Sequence, residues 1–186
     1  MAQQQTLQTV NGIDMDTLQG TIDAIKGDPE LAKCRFHVRN KWIDGNHNRT
    51  TVSGFYAAKA EQRHKGTFEL DCDEPALLAG EDQGANPVEH LLNALAGCVT
   101  TSMVAHAAVR GIHIEELESQ IEGDIDLRGF LGLAEDVPKG YTNIRMRFKV
   151  KADVDNMERL KRLSEYSPTL NTVIHGCKVD ISVEPK

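Results

Sequence analysis

Asn86-Pro87-Val88-Glu89-His90-Leu91-Leu92-Asn93-Ala94-Leu95-Ala96-Gly97-Cys98-Val99-Thr100-Thr101-Ser102-Met103 is the one strongly apolar helical stretch of this chain. Asn86 is a favoured N-cap, Pro87 suits the first helical position, and Glu89 stands where a capping-box carboxylate belongs. No further proline interrupts the stretch before Val109, so the pattern predicts a helix over 86–109. Each helical residue turns by about 100°, which places Leu91, Leu95 and Ser102 within ~60° of Cys98. Cys98 is therefore expected along the apolar stripe, either as a small buried hydrophobe or as a nucleophile. Free cysteine is among the most buried residue types, which favours the first reading. The second requires a cation to lower the thiol pKa, and none lies within one turn on this helix. Arg35, Arg39 and Arg49, upstream, are the candidate cations.

Outward from this helix the pattern changes several times. Leu18, Ile22 and Ile25 recur at helical spacing between Met15 and Lys26, and Gly27-Asp28-Pro29 stops them; residues 1–13 read as loosely attached. Cys34, Phe36 and Val38 alternate with Arg35, His37 and Arg39, a strand with Cys34 facing inward. A turn is expected over Trp42 to His47, a returning strand over 50–56 and a third over 66–72. Beyond Gly111, Ile112 to Leu127 alternate as a long strand, and 128–142 read as an exposed loop. Ile144, Met146, Phe148 and Val150 form a half-buried strand. Asp155 to Tyr166 reads as a helix with Met157, Leu160 and Leu163 inward. Ser167-Pro168 opens a short helix over 169–174. Val179, Ile181 and Val183 read as a last strand, with Cys177 in phase and facing the core. Grouped strands broken by helices imply an α+β fold, mostly antiparallel.

With 28 acidic against 21 basic residues, a net charge of −7 argues against nucleic acid or an anionic membrane as partner. The first ten residues lack the basic start and apolar centre of a secretory signal, and no apolar run is expected to approach the ~18 residues that span a bilayer. A cytoplasmic protein is expected, its four cysteines reduced because they are widely spaced with no Cys-x-x-Cys pair. Cys34 and His37 point to opposite faces of a strand, and no second ligand pair has zinc spacing, so no metal is expected. No phosphate loop is present, and no cofactor is expected. Cys72, between Asp71 and Asp73, should be a sluggish thiol with a raised pKa. His106 reads as a helix-surface or interface residue.

The stretch from Asn86 to Cys98 resembles the cysteine helix of the OsmC/Ohr family, the osmotically inducible and organic-hydroperoxide-resistance proteins. Trp42-Ile43-Asp44-Gly45 fits the family's N-terminal hairpin. Tyr166-Ser167-Pro168-Thr169-Leu170-Asn171-Thr172 occupies the place of its second motif, where a Cys-Pro usually begins a helix. Residues 1–30 resemble an extension of longer members, leaving 31–186 as a single domain. The resemblance implies an intertwined homodimer: mostly antiparallel sheets from both chains around long central helices, with the active thiols at the interface. It gives Cys98 the peroxidatic role, in which the thiol attacks a hydroperoxide and becomes a sulfenic acid. A second cysteine then resolves it as a disulfide, which an external dithiol reduces. The family's thiolate-pairing arginine lies in the hairpin, at Arg49 or Arg39.

Two departures qualify this picture. The resolving position holds Ser167, whose hydroxyl cannot form a disulfide; Cys177, ten residues on, could substitute only if the last strand passes close to Cys98. Hydroperoxide-reducing members tend to place a glutamate directly after Asn-Pro, where this chain has Val88, with Glu89 next. Glu89 lies ~180° around the helix from Cys98 and reads as a cap rather than a partner of the thiol. The leading expectation is a thiol-dependent hydroperoxide reductase of one-cysteine type that uses an external thiol reductant. The alternative is a non-catalytic relative that binds a small hydrophobic ligand at the dimer interface. A third reading, a structural dimeric scaffold, has no reactive thiol.

Overall fold

The computed structural model describes residues 9–153 and 157–186. An Asn-Gly pair opens it: Asn11 (φ 53°) and Gly12 (φ 76°) take the left-handed backbone that a two-residue hairpin needs, joining β1 (Thr9–Val10) to β2 (Ile13–Asp14). Asn11 pins the hairpin, donating to the Ile112 carbonyl at 3.0 Å and accepting from the Ile114 N–H at 2.9 Å. Residues 9–13 are thus structured, against expectation; residues 1–8 lie outside the described residues. Helix α1 (Met15–Gly27) follows, capped by Asp14, whose carboxylate accepts the Thr17 N–H at 3.0 Å.

The chain forms two compact units. The first, residues 14–91 with Thr9, holds an antiparallel sheet of β3 (Arg35–Phe36), β4 (Arg39–Asp44), β5 (His47–Ala57) and β6 (Ala60–Cys72). Strand β5 is central, pairing with β3 and β4 along one edge and β6 along the other. The first turn is tighter than expected: Trp42 to Asp44 stay in β4, and Gly45 (φ 51°) turns with Asn46. Gly54 follows a bulge in β5, where an added Cβ would come within 2.5 Å of the Gln62 carbonyl oxygen. Cys34, Phe36 and Val38 do not face a core; Phe36 is 75% exposed and Cys34 is exposed. Their alternation has a face but no cover, because every buried apolar side chain among the described residues lies in the second unit.

Most of helix α2 (Pro87–Val109) belongs to that second unit, residues 92–186 with 10–13. Its buried row, Leu95, Val99, Met103 and Ala107, advances four residues at a time. Strand β7 (Ile114–Asp124), a single turn of helix α3 (Leu127–Phe130) and strand β8 (Asn143–Ala152) follow. β7 and β8 pair antiparallel, with Leu117 opposite Val150 and Ile121 opposite Met146. Every second residue of β8 is half-buried, as its alternation requires. Helix α4 (Met157–Leu163), a 3-10 turn through Tyr166 and helix α5 (Pro168–His175) complete the unit. Met103, Ala107, Ile112, Leu160 and Leu163 form the core, with Leu117, Phe148 and Val150 against it.

Three expectations are corrected here. Met157 is exposed, since it opens α4 a turn before the first core position, Leu160; the expected start at Asp155 lies outside the described residues. Residues 177–183 form no strand: Val179, Ile181 and Val183 are 73%, 87% and 92% exposed, and Cys177 is exposed rather than core-facing. Alternation makes two faces, but a strand also needs a neighbour's hydrogen bonds, and among the described residues none pairs with this segment. Finally, α2 is long and apolar enough, by length and composition alone, to cross a membrane. Asn93, Thr100, Thr101 and Ser102 break its apolar runs without lowering the average below that mark, and the core helix of a globular fold passes the same test. The observed antiparallel strand groups separated by helices are α+β.

Candidate active site: a thiol at the N-terminus of α5

Ser167 ends the turn after α4 in extended backbone and caps α5, its Oγ accepting the Leu170 N–H at 3.2 Å. Pro168 at the first helical position has no N–H to satisfy. The Thr169 N–H, next in the first turn, has no partner within its own helix. Ser167 is fully buried, and no buried side-chain N or O among the described residues lacks a partner.

Cys98 meets this helix end. It lies on the flank of the buried row of α2, one residue before Val99 and therefore ~100° away, and it is half-buried rather than central to the stripe. Burial pushes the Cys98 thiol up. Hydrogen bonds from the Ser167 hydroxyl, the Thr169 hydroxyl and N–H, and the Ser102 hydroxyl outweigh it and bring the thiol below its ordinary pKa. A helix N-terminus favours an anion for the same reason. Hydroxyls and a backbone N–H are thus among the groups that lower this thiol. Ser102 was legible as a face-mate of Cys98. Thr169 was not singled out, though its place two residues after an N-cap signals a free N–H.

The other candidate residues lie in the first unit. Arg49 stands opposite Asp71 across β5 and β6, and its Nε and Nη2 donate to that carboxylate at 2.9 and 3.1 Å. His47 Nε2 meets the same carboxylate at 2.8 Å, and the two together hold the Asp71 carboxyl below the usual range. Arg39 is exposed on β4 opposite Thr51. Glu89 closes a capping box: it accepts the Asn86 N–H at 2.9 Å, while Asn86 Oδ1 accepts the Val88 N–H at 2.9 Å.

All four cysteines are free. Burial raises the Cys72 thiol, and Asp71 and Glu74 add to it. The second carboxylate is Glu74 rather than the expected Asp73, whose oxygens accept the N–H groups of Glu74, Glu81 and Gln83. Among the described residues no three His, Cys, Asp or Glu side chains converge as a metal site. An open apolar hollow of about 610 Å³ lies against Val99, Met103, Met146, Phe148, Leu160 and Leu170. A second, of about 520 Å³, shares Met146 and Leu170 and extends to Leu95 and Ile174.

Residues 80–182, which hold both Cys98 and Ser167, match the model of the OsmC-like protein family. The chain belongs to the OsmC-like family. Solved structures agree in fold. An OsmC-like protein from Mycoplasma pneumoniae superposes with a TM-score of 0.56 at 16% identity, over 76% of this chain and 88% of its own. An OsmC-like protein of unknown function from Vibrio cholerae gives 0.56 at 11% identity, over 74% and 92%. No curated protein matches the chain.

Proposed function

We propose that this OsmC-like protein is a one-cysteine thiol peroxidase. What supports the reading is the place of Cys98 beside Ser167 and Thr169 at the N-terminus of α5, where the thiol is brought below its ordinary pKa. The Cys98 thiolate attacks the distal oxygen of a hydroperoxide. The O–O bond breaks, the sulfur is oxidised by two electrons to a sulfenic acid, and the alkoxide leaves as the alcohol after taking a proton. Ser167 cannot resolve the sulfenic acid. An external thiol condenses with it, releasing water and leaving a mixed disulfide; a second thiol then frees Cys98. Glu89 is assigned the cap rather than the chemistry. Arg49 and Arg39 keep only the family's implied role, and Arg49 is paired with Asp71.

The functional form we propose is a homodimer, in the cytoplasm, with residues 1–30 an extension to a domain of 31–186. Exposed Trp42, Phe68, Ile181 and Val183 support a second copy as their cover. A reduced thiol pool, which the cycle consumes, supports the location.

Mass spectrometry after stoichiometric organic hydroperoxide, with dimedone present to trap sulfenic acid, tests the chemistry. The adduct is expected on Cys98 and absent in Cys98→Ser. A Cys98 that reacts no faster than Cys34 or Cys177 overturns it. Ser167 and the hollow of about 610 Å³ would then favour the second reading, a non-catalytic protein that binds a small hydrophobic ligand.

A further inference from the structure

Away from Cys98, three guanidinium groups share one depression. Arg110 follows the last turn of α2, and Arg159 and Arg162 lie one turn apart on α4, where i and i+3 share a face. With Leu163, Glu165 and Tyr166 they line a hollow of about 500 Å³. Glu165 is the only acid in that lining, so the hollow is locally basic on a chain of net charge −7. Among the described residues no carboxylate forms an ion pair with any of the three arginines, although most other ion pairs of the chain are satisfied across strands or along helices.

Arg110 is also held in place. Its Nη1 donates to the His106 carbonyl at 3.0 Å and meets His106 Nδ1 at 3.2 Å. Its guanidinium lies 5.5 Å from the Tyr166 ring centre, and Tyr166 stacks on His106 at 3.9 Å. The Nδ1 contact requires a neutral imidazole, and burial together with Arg110 keeps His106 below its ordinary pKa. An arginine fixed by two rings and a carbonyl has already lost the rotamer freedom that binding would otherwise cost.

We propose that Arg110, Arg159 and Arg162 form a binding site for the phosphate group of a small phosphorylated molecule. The choice of phosphate follows from acceptor geometry. A carboxylate offers two oxygens in one plane; a phosphate dianion offers three oxygens around a tetrahedral centre and a second negative charge, and is better placed to engage three forks at once. A hollow of this size also leaves room for the organic part beside Tyr166. The site is independent of the Cys98 chemistry and stands if that reading fails.

Calorimetric titration of the full chain with inorganic pyrophosphate at low salt tests it, with citrate as the carboxylate control. Saturable binding at one site per chain is expected, with citrate binding more weakly. The double variant Arg159→Gln/Arg162→Gln, at exposed positions, should weaken pyrophosphate at least about tenfold. Arg110→Lys keeps the charge but loses the fork and should weaken it comparably. Absence of binding to the native chain, citrate binding as tightly as pyrophosphate, or full affinity in either variant would overturn the proposal.

Discussion

Ser167 stands beside the Cys98 thiol and helps bring it below its ordinary pKa, while its Oγ accepts the Leu170 N–H at 3.2 Å. One side chain therefore both starts α5 and tunes the thiol. In the proposed cycle a cysteine at this position would be the resolving thiol; the serine instead helps lower the Cys98 pKa. The substitution exchanges one chemical role for another without emptying the site.

Ser167→Ala removes that hydroxyl, so the Cys98 pKa should rise and alkylation by iodoacetamide at neutral pH should slow. The variant also loses the α5 cap, at a cost of about 1 kcal/mol. Thr169→Val removes a donor and keeps the cap. An upward shift of the alkylation midpoint in both variants is expected; an unchanged midpoint in both means the hydroxyls do not tune the thiol.

Ser167→Cys should place a thiol within bonding reach of Cys98, provided the Cα atoms lie within the ~7 Å that a disulfide tolerates. Peroxide treatment should then yield an internal disulfide, and turnover with a dithiol reductant should rise. Peptide mapping reads the bond directly. A native Cys98–Cys177 disulfide that forms as fast, with or without the substitution, would contradict the one-cysteine cycle.

Glu89→Ala and Asn86→Ala each open the capping box of α2 and should cost about 1 kcal/mol in denaturant unfolding. Cys98 alkylation should not change in either. A large loss of thiol reactivity in Glu89→Ala alone would give Glu89 a part in the chemistry.

His106 has a folded pKa below its unfolded value, by burial and then by Arg110. Between those two values the unfolded chain binds more protons, so stability rises with pH through that window and falls as pH drops below the ordinary histidine range. His106→Phe keeps a ring beside Tyr166 and removes the titration. Melting temperature between pH 5 and 7, roughly the range where histidine titrates, should vary less in the variant.

Leu160→Ala hollows the core of the second unit, where Leu160 is 2% exposed against Met103, Ala107 and Leu163. A loss of about 2–5 kcal/mol is expected in chemical denaturation. Met157→Ala on the same helix should cost far less, because Met157 is exposed.

Much of this was legible in the chain itself, wherever local rules suffice. Asn86, Pro87 and Glu89 marked the start of α2, Ser167 and Pro168 that of α5, and alternation marked β8, because caps and side-chain periodicity act within a few residues. The motif around Cys98 marked the family. Alternation failed at Cys34 to Val38 and at Cys177 to Val183, since it reports that a segment has two faces and not that anything covers one of them. Only the tertiary structure decided what surrounds the thiol. Ser102 apart, the groups that lower it come from α5 and its cap, some seventy residues beyond Cys98, and no spacing rule reaches that far. Sequence sets which groups a helix end offers; packing decides which atom they meet.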